Sequence, residues 1–173
     1  MELISSAERN LLFERFAHDA FHLELRDDYS VPNEEGVYRD WLSGTADGSF
    51  MAPWAQLMKR VTGSGMTVRR VRVVTEPHTP HIQWEHATTH VNEAAGESIR
   101  WLPRQKMPEE LVLPVKGNDW WLFDDKLLAV GYFDGSGRVL GSEVVETPAI
   151  VGECIRVRDL LWGMAIPHSE YTR

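Results

Sequence analysis

Arg70 and Arg72 are the residues whose type and spacing first suggest chemistry. They lie in Met66-Thr67-Val68-Arg69-Arg70-Val71-Arg72-Val73-Val74, a β-rich and mostly apolar run. On a strand, residues two apart point to one side, so both guanidinium groups face away from Val71 and Val73. Such a pair grips an anion, a phosphate or a carboxylate. The competing reading is that it pairs with acidic side chains on a helix covering the sheet.

That helix is expected to open at Pro80 and run to about Ala95, before Gly96. It carries Glu85 and His86, the candidate acid or base, with His90 one turn on. Helix packing over a strand–helix–strand unit brings Glu85 or His86 against the arginine pair. The run Glu85-His86-Ala87-Thr88-Thr89-His90 is not a His-Glu-x-x-His motif, and His18 and His22 lack a third ligand, so no metal site is expected. Arg104, Trp101 and Trp120 complete the candidate ligand-binding set. Cys154, the single cysteine, falls in an apolar stripe and reads as a core residue in a reducing compartment.

The scaffold for these residues reads off local patterns. Ser5-Ser6-Ala7-Glu8 has capping-box spacing, and Leu12, Phe13, Phe16, Ala17, Ala20 and Phe21 predict an amphipathic first helix, with Phe21 to Leu25 continuing as a strand-like segment. Arg26-Asp27-Asp28-Tyr29 is a turn, Pro32 opens a second helix ending at Gly44, Thr45 to Ser49 is a polar loop, and Pro53 to Val61 is a third helix. Beyond the Pro80 helix come a strand from Glu97 to Leu102 and an ordered loop over 103–118. A strand over Trp120 to Phe123, an Asp124-Asp125 turn, a strand from Lys126 to Phe133 and the Asp134-Gly135-Ser136-Gly137 turn into Val139 to Val145 follow. Thr147-Pro148 starts a last helix with Ile150, Cys154, Val157, Leu161 and Ala165 on its buried stripe. The fold class is therefore α/β (α+β), a mixed central sheet with helices packed on it. It forms one globular domain over 1–173, a helical N-terminal part (1–65) preceding an α/β part (66–173).

Composition narrows the function classes. The 173 residues suit one domain, and a net charge of -8 spread evenly along the chain argues against direct nucleic-acid binding. No basic leader precedes the apolar residues at the N-terminus, and no run is long enough for a membrane span, so a cytoplasmic protein is expected. No Gly-rich phosphate loop, nucleophile elbow or cysteine–histidine zinc pattern occurs, and no cofactor is expected. Seven tryptophans (Trp41, Trp54, Trp84, Trp101, Trp120, Trp121 and Trp162) exceed ordinary usage. More than half are expected in the core, and the rest are available as binding anchors.

Three runs, Arg69 to Pro77, Ala94 to Arg104 and Trp120 to Asp125, together resemble an actinobacterial family of small proteins of unknown function, over nearly the whole chain. Members are often encoded beside helix-turn-helix regulators or within specialised-metabolite gene clusters. From Arg69 onward the element order is also similar to phospholipase D-like modules, including the catalytically silent ones used by some bacterial regulators. Active members carry His-x-Lys, four residues and Asp, the histidine attacking phosphorus and the lysine holding the phosphate. Aligning that aspartate on Asp125 puts Asn118 in the histidine place and Trp120 in the lysine place. Asn118 is no nucleophile and Trp120 has no charge, so phosphodiesterase chemistry is not expected. The resemblance implies a half-module that pairs as a homodimer. The function expected is non-catalytic binding of a small anionic ligand or a protein partner such as a helix-turn-helix regulator. The alternative is a small biosynthetic enzyme using Glu85 or His86 as acid or base, with Arg70, Arg72 or Arg104 orienting an anionic substrate.

Overall fold

A computed structural model describes residues 2–29, 35–44 and 49–172. The helices are α1 (Ser6–Asn10), α2 (Glu35–Leu42), α3 (Ala52–Gly63), α4 (Pro80–Ala94) and α5 (Pro148–Met164). The strands are β1 (Asp19–Glu24), β2 (Thr67–Val74), β3 (Ser98–Pro103), β4 (Trp120–Phe123), β5 (Leu127–Phe133), β6 (Val139–Val145) and β7 (Ile166–Pro167). They form one mixed sheet in the order β6-β5-β4-β1-β2-β3-β7, with β1, β2 and β3 parallel and the remaining pairings antiparallel. The mixed α/β architecture expected from the sequence is the one observed. Pro32 and Thr45 to Gly48, expected at a helix start and in a loop, lie outside the described residues.

The N-terminal segment departs from expectation. The Ser5–Glu8 capping box is present, with Ser5 N–H donating to the Glu8 carboxylate at 2.8 Å and Glu8 N–H to the Ser5 hydroxyl at 3.2 Å. Yet α1 ends at Asn10, a tight 3-10 turn covers Leu11–Glu14, and Ala20 and Phe21 belong to β1. The apolar positions fit a helical period as far as Phe21, but Phe21, Leu23 and Leu25 also alternate, and sheet pairing on both sides of β1 outweighs the helical pattern. The Asp124 carboxylate accepts from the backbone N–H groups of Ala17 (2.7 Å), His18 (2.7 Å) and Asp19 (3.1 Å), which turns the chain into the strand. His18 and His22 therefore do not share a helix face. The first 65 residues supply, besides helices, the strand between β4 and β2.

Two layers cover the sheet. On one side Phe21, Leu23, Val71, Val73, Trp120, Leu122 and Leu128 pack against Val151, Cys154, Val157 and Leu161 of α5. On the other, Phe13, Met58, Val61, Val68, Trp121 and Phe123 form one apolar cluster, and Val74, Ile82, Ile99, Trp101 and Tyr171 another. Four of the seven tryptophans (Trp84, Trp101, Trp120, Trp121) are buried and the other three half-buried. Among the described residues no helix is long and apolar enough to cross a membrane.

Candidate functional site

Between the two apolar clusters on the side facing α3 and α4 lies a strip of charge. Register places His22 beside Arg70 and Glu24 beside Arg72 on the parallel β1–β2 pair. The alternation that sends Val71 and Val73 toward α5 sends both arginines toward α3 and α4, as the sequence predicts. There they meet carboxylates. Arg70 Nη1 donates to Glu24 at 2.6 Å and its Nη2 to Glu97 at 2.9 Å. Arg72 ion-pairs with Glu24 and with Glu85 of α4, each at 2.9 Å. Arg70 and Arg72 are 8% and 6% exposed, so the network is internal.

The electrostatics follow from that enclosure. Desolvation works against the charged form of Arg70, but Glu97 and Glu24 outweigh it and hold the guanidinium above its ordinary range. Burial raises Glu85 and Glu97; Arg72 and His81 for the former, and Arg70, Trp54 and Asn92 for the latter, bring both below the usual carboxylate range. His22 stacks on Trp121, ring centroids 4.2 Å apart, and burial together with Arg70, Arg9 and Arg72 keeps it well below the ordinary imidazole value. Burial and Arg70 likewise lower the Arg9 guanidinium to about 10.

The expected contact from the facing helix is made by Glu85. His86 is turned to a separate aromatic group, its ring 5.2 Å from Trp101 and 4.8 Å from His168, with Nε2 3.3 Å from the Tyr171 carbonyl. Trp101 is the wall between: it lies under the Arg72 guanidinium (5.3 Å), stacks on Tyr171 (5.5 Å) and donates its indole N–H to His168 at 3.0 Å. Tyr171 in turn donates to Glu76 at 2.7 Å and lies 2.7 Å from His78 Nε2.

Arg104 and Trp120 stand elsewhere. Arg104 ties the carboxyl ends of the three parallel strands, donating to the carbonyls of Leu25 (2.7 Å) and Val73 (3.3 Å) and to Asp27 (3.3 Å). Trp120 faces α5 and packs on Phe21, so the structure does not bring it to the arginine pair. Adjacent strand residues face opposite sides, and Trp121 is the neighbour that reaches the charged strip, 5.5 Å from the Arg70 guanidinium. Among the described residues, no three histidine, cysteine, aspartate or glutamate side chains are grouped to hold a metal ion.

Sequence reasoning passed over Glu24, Glu97, Tyr29 and Asp119. Glu24 carries the same signal as the arginines, an alternation Phe21-His22-Leu23-Glu24-Leu25 with polar residues on one side. Asp119 immediately precedes β4, accepts from Leu25 N–H at 2.9 Å and takes the Tyr29 hydroxyl at 2.6 Å. Burial, reinforced by Glu24, pushes its carboxyl up to about 7 against those two bonds.

The fold is shared with a solved protein. The chain superposes on the crystal structure of a phospholipase D family member, Nuc from Salmonella typhimurium, with a TM-score of 0.51 and 10% identity, covering 94% of this chain and 90% of that one. At that identity the likeness shows the fold alone. No curated protein matches the chain. The model of a domain of unknown function, DUF6879, matches residues 7–173, and the chain belongs to that family.

Proposed function

We propose that this chain is a non-catalytic cytosolic binding protein on a phospholipase D-like scaffold, one whose partner is a helix-turn-helix transcription regulator. The observation that carries the non-catalytic half is Trp120. Alignment on Asp125 gives it the place of the phosphate-holding lysine, and it is 1% exposed in the α5-side core; Asn118, given the place of the nucleophile, donates its amide to the Val115 carbonyl at 3.1 Å. The arginine pair is equally unavailable, because an anion entering there has to displace Glu24, Glu85 or Glu97. For the binding half, a groove of about 460 Å³ between the 111–115 segment and α5 is lined by Leu111, Val112, Leu113 and Leu160 with Glu153 and Arg156 among them, and Val112 is 85% exposed. Exposed apolar surface of this kind suits a protein partner.

Two measurements test the reading. Hydrolysis of bis(p-nitrophenyl) phosphate, with and without divalent cations, is expected at the buffer rate, and turnover abolished by a variant of this chain overturns it. Calorimetric titration with a purified helix-turn-helix regulator encoded beside the gene is expected to give saturable binding weakened by Val112→Asp and Leu160→Asp. Absence of heat and of co-elution argues against that partner.

The alternative, a small enzyme, draws on Asp119. To Glu85 and His86, the acid or base foreseen from the sequence, it adds Asp119, which sits near neutrality beside a tyrosine hydroxyl whereas Glu85 is held as a paired carboxylate. An activity lost in Asp119→Asn with the fold intact favours this reading over binding.

A further inference from the structure

The sheet reverses its winding between β1 and β4. From β1 the chain proceeds through β2 to β3 on one side, and β4 then starts on the other side of β1. Asp119, immediately before β4, stands beside the carboxyl end of β1. Continuing the β1–β4 register one step beyond Leu23 and Trp120 sets it opposite Glu24, on the charged side of the sheet.

Several elements surround Asp119. From β1 come the Glu24 carboxylate and, just past its end, the Leu25 N–H and Arg26. The following turn supplies Tyr29, whose hydroxyl also accepts from Arg26 N–H at 3.4 Å. Behind Tyr29 stand His81 and Glu85 of α4, with Tyr38 of α2 packed on His81. Asp119's own carbonyl accepts from Gly131 N–H of β5 at 2.8 Å. Phe133 of β5 carries the Arg26 guanidinium at 4.8 Å.

Charge counting gives these contacts a direction. Glu24 is already ion-paired with Arg70 and Arg72, and Arg104 is spent on carbonyls and Asp27. Arg26 is different. Its buried Nε has no hydrogen-bond partner, and no carboxylate lies within ion-pair distance of the guanidinium among the described residues. Ionising Asp119 places a second carboxylate beside Glu24 in a water-poor site, and Arg26 is the nearby cation not yet committed.

We propose that Asp119, Tyr29 and Arg26 form a proton-operated latch at the carboxyl end of β1. While Asp119 keeps its proton, Arg26 rests on Phe133 and the Tyr29 hydroxyl donates to a neutral carboxyl; when the proton leaves to solvent, the bonds from Tyr29 and the Leu25 N–H tighten on the carboxylate and Arg26 swings from Phe133 to pair with it, closing the turn after β1. Burial and Glu24 together set the transition near neutrality.

The test follows the Asp119 carboxyl carbon by NMR in the intact chain labelled with ¹³C-aspartate, assigned by its loss in Asp119→Asn or, should that variant not fold, in Asp119→Glu. It is expected to titrate near neutrality, several units above the value of about 4 of a free aspartate. Arg26→Gln removes the waiting cation and is expected to raise that titration by about one pH unit. Titration near the free value overturns the proposal, and so does an unchanged titration in Arg26→Gln. Urea unfolding gives the second readout: a carboxyl raised in the folded state makes the wild-type midpoint fall as pH rises from about 4 to the transition, and Asp119→Asn flattens the fall. Equal slopes in the two proteins also overturn it.

Discussion

Arg72 on β2 and Glu85 on α4 meet at 2.9 Å beneath the helix layer, with side chains 7% and 14% exposed. A strand and its covering helix are thus joined by charge where other residues of the same helix, such as Ile82, join it by apolar contact. Glu24 takes the other arm of Arg72, so the guanidinium is shared between strand and helix.

Breaking this pair on one side is expected to cost more than replacing both partners. Glu85→Ala leaves Arg72 half-neutralised in the interior and should lower stability by about 3–5 kcal/mol, whereas Arg72→Met with Glu85→Leu should recover most of that loss. Urea denaturation of the single and double variants measures the difference.

Acid should weaken the same network. Glu85 and Glu97 are held below their ordinary value, so the stability they contribute is complete above that value and is lost as pH falls through their folded-state titration. The melting temperature is expected to drop steeply below about pH 4.5, and Glu97→Gln should make the drop shallower while lowering stability at neutral pH.

Restoring the phospholipase D residues should not restore chemistry. Asn118→His with Trp120→Lys puts an ammonium into the α5-side core beside Phe21, Leu122 and Val130 and removes a buried indole. A loss of about 3–5 kcal/mol is expected, with no phosphodiester turnover. Circular dichroism melts and a phosphodiesterase assay on one preparation report both.

Cys154 should resist thiol reagents in the native protein. It is fully buried among Val151, Val157 and Leu161, and burial, helped by Glu153, pushes its thiol up to about 12. Reaction with a chromogenic disulfide at neutral pH is expected to track unfolding in denaturant.

Much of this architecture is written in local patterns. The alternation in Thr67–Val74 puts Arg70 and Arg72 on one side, Thr79 and Pro80 start α4 at the expected place, and Asp134–Gly137 turns β5 into β6. These features rest on nearest neighbours along the chain, which propensity and period describe. Long-range pairing decided the rest. Ala20 and Phe21 suit a helix until β2 and β4 flank them, and Arg70 reads either as an anion receptor or as the partner of a helix carboxylate until Glu24 and Glu97, from two distant segments, take its two terminal nitrogens. Asp119 looks ordinary in sequence, since its raised carboxyl comes from burial beside Glu24 ninety-five positions earlier in the chain. Residue order alone dictates which side of each strand carries charge. Which charges meet, and how little water separates them, comes from the assembled sheet, because partner identity and desolvation arise from strands that pair across it.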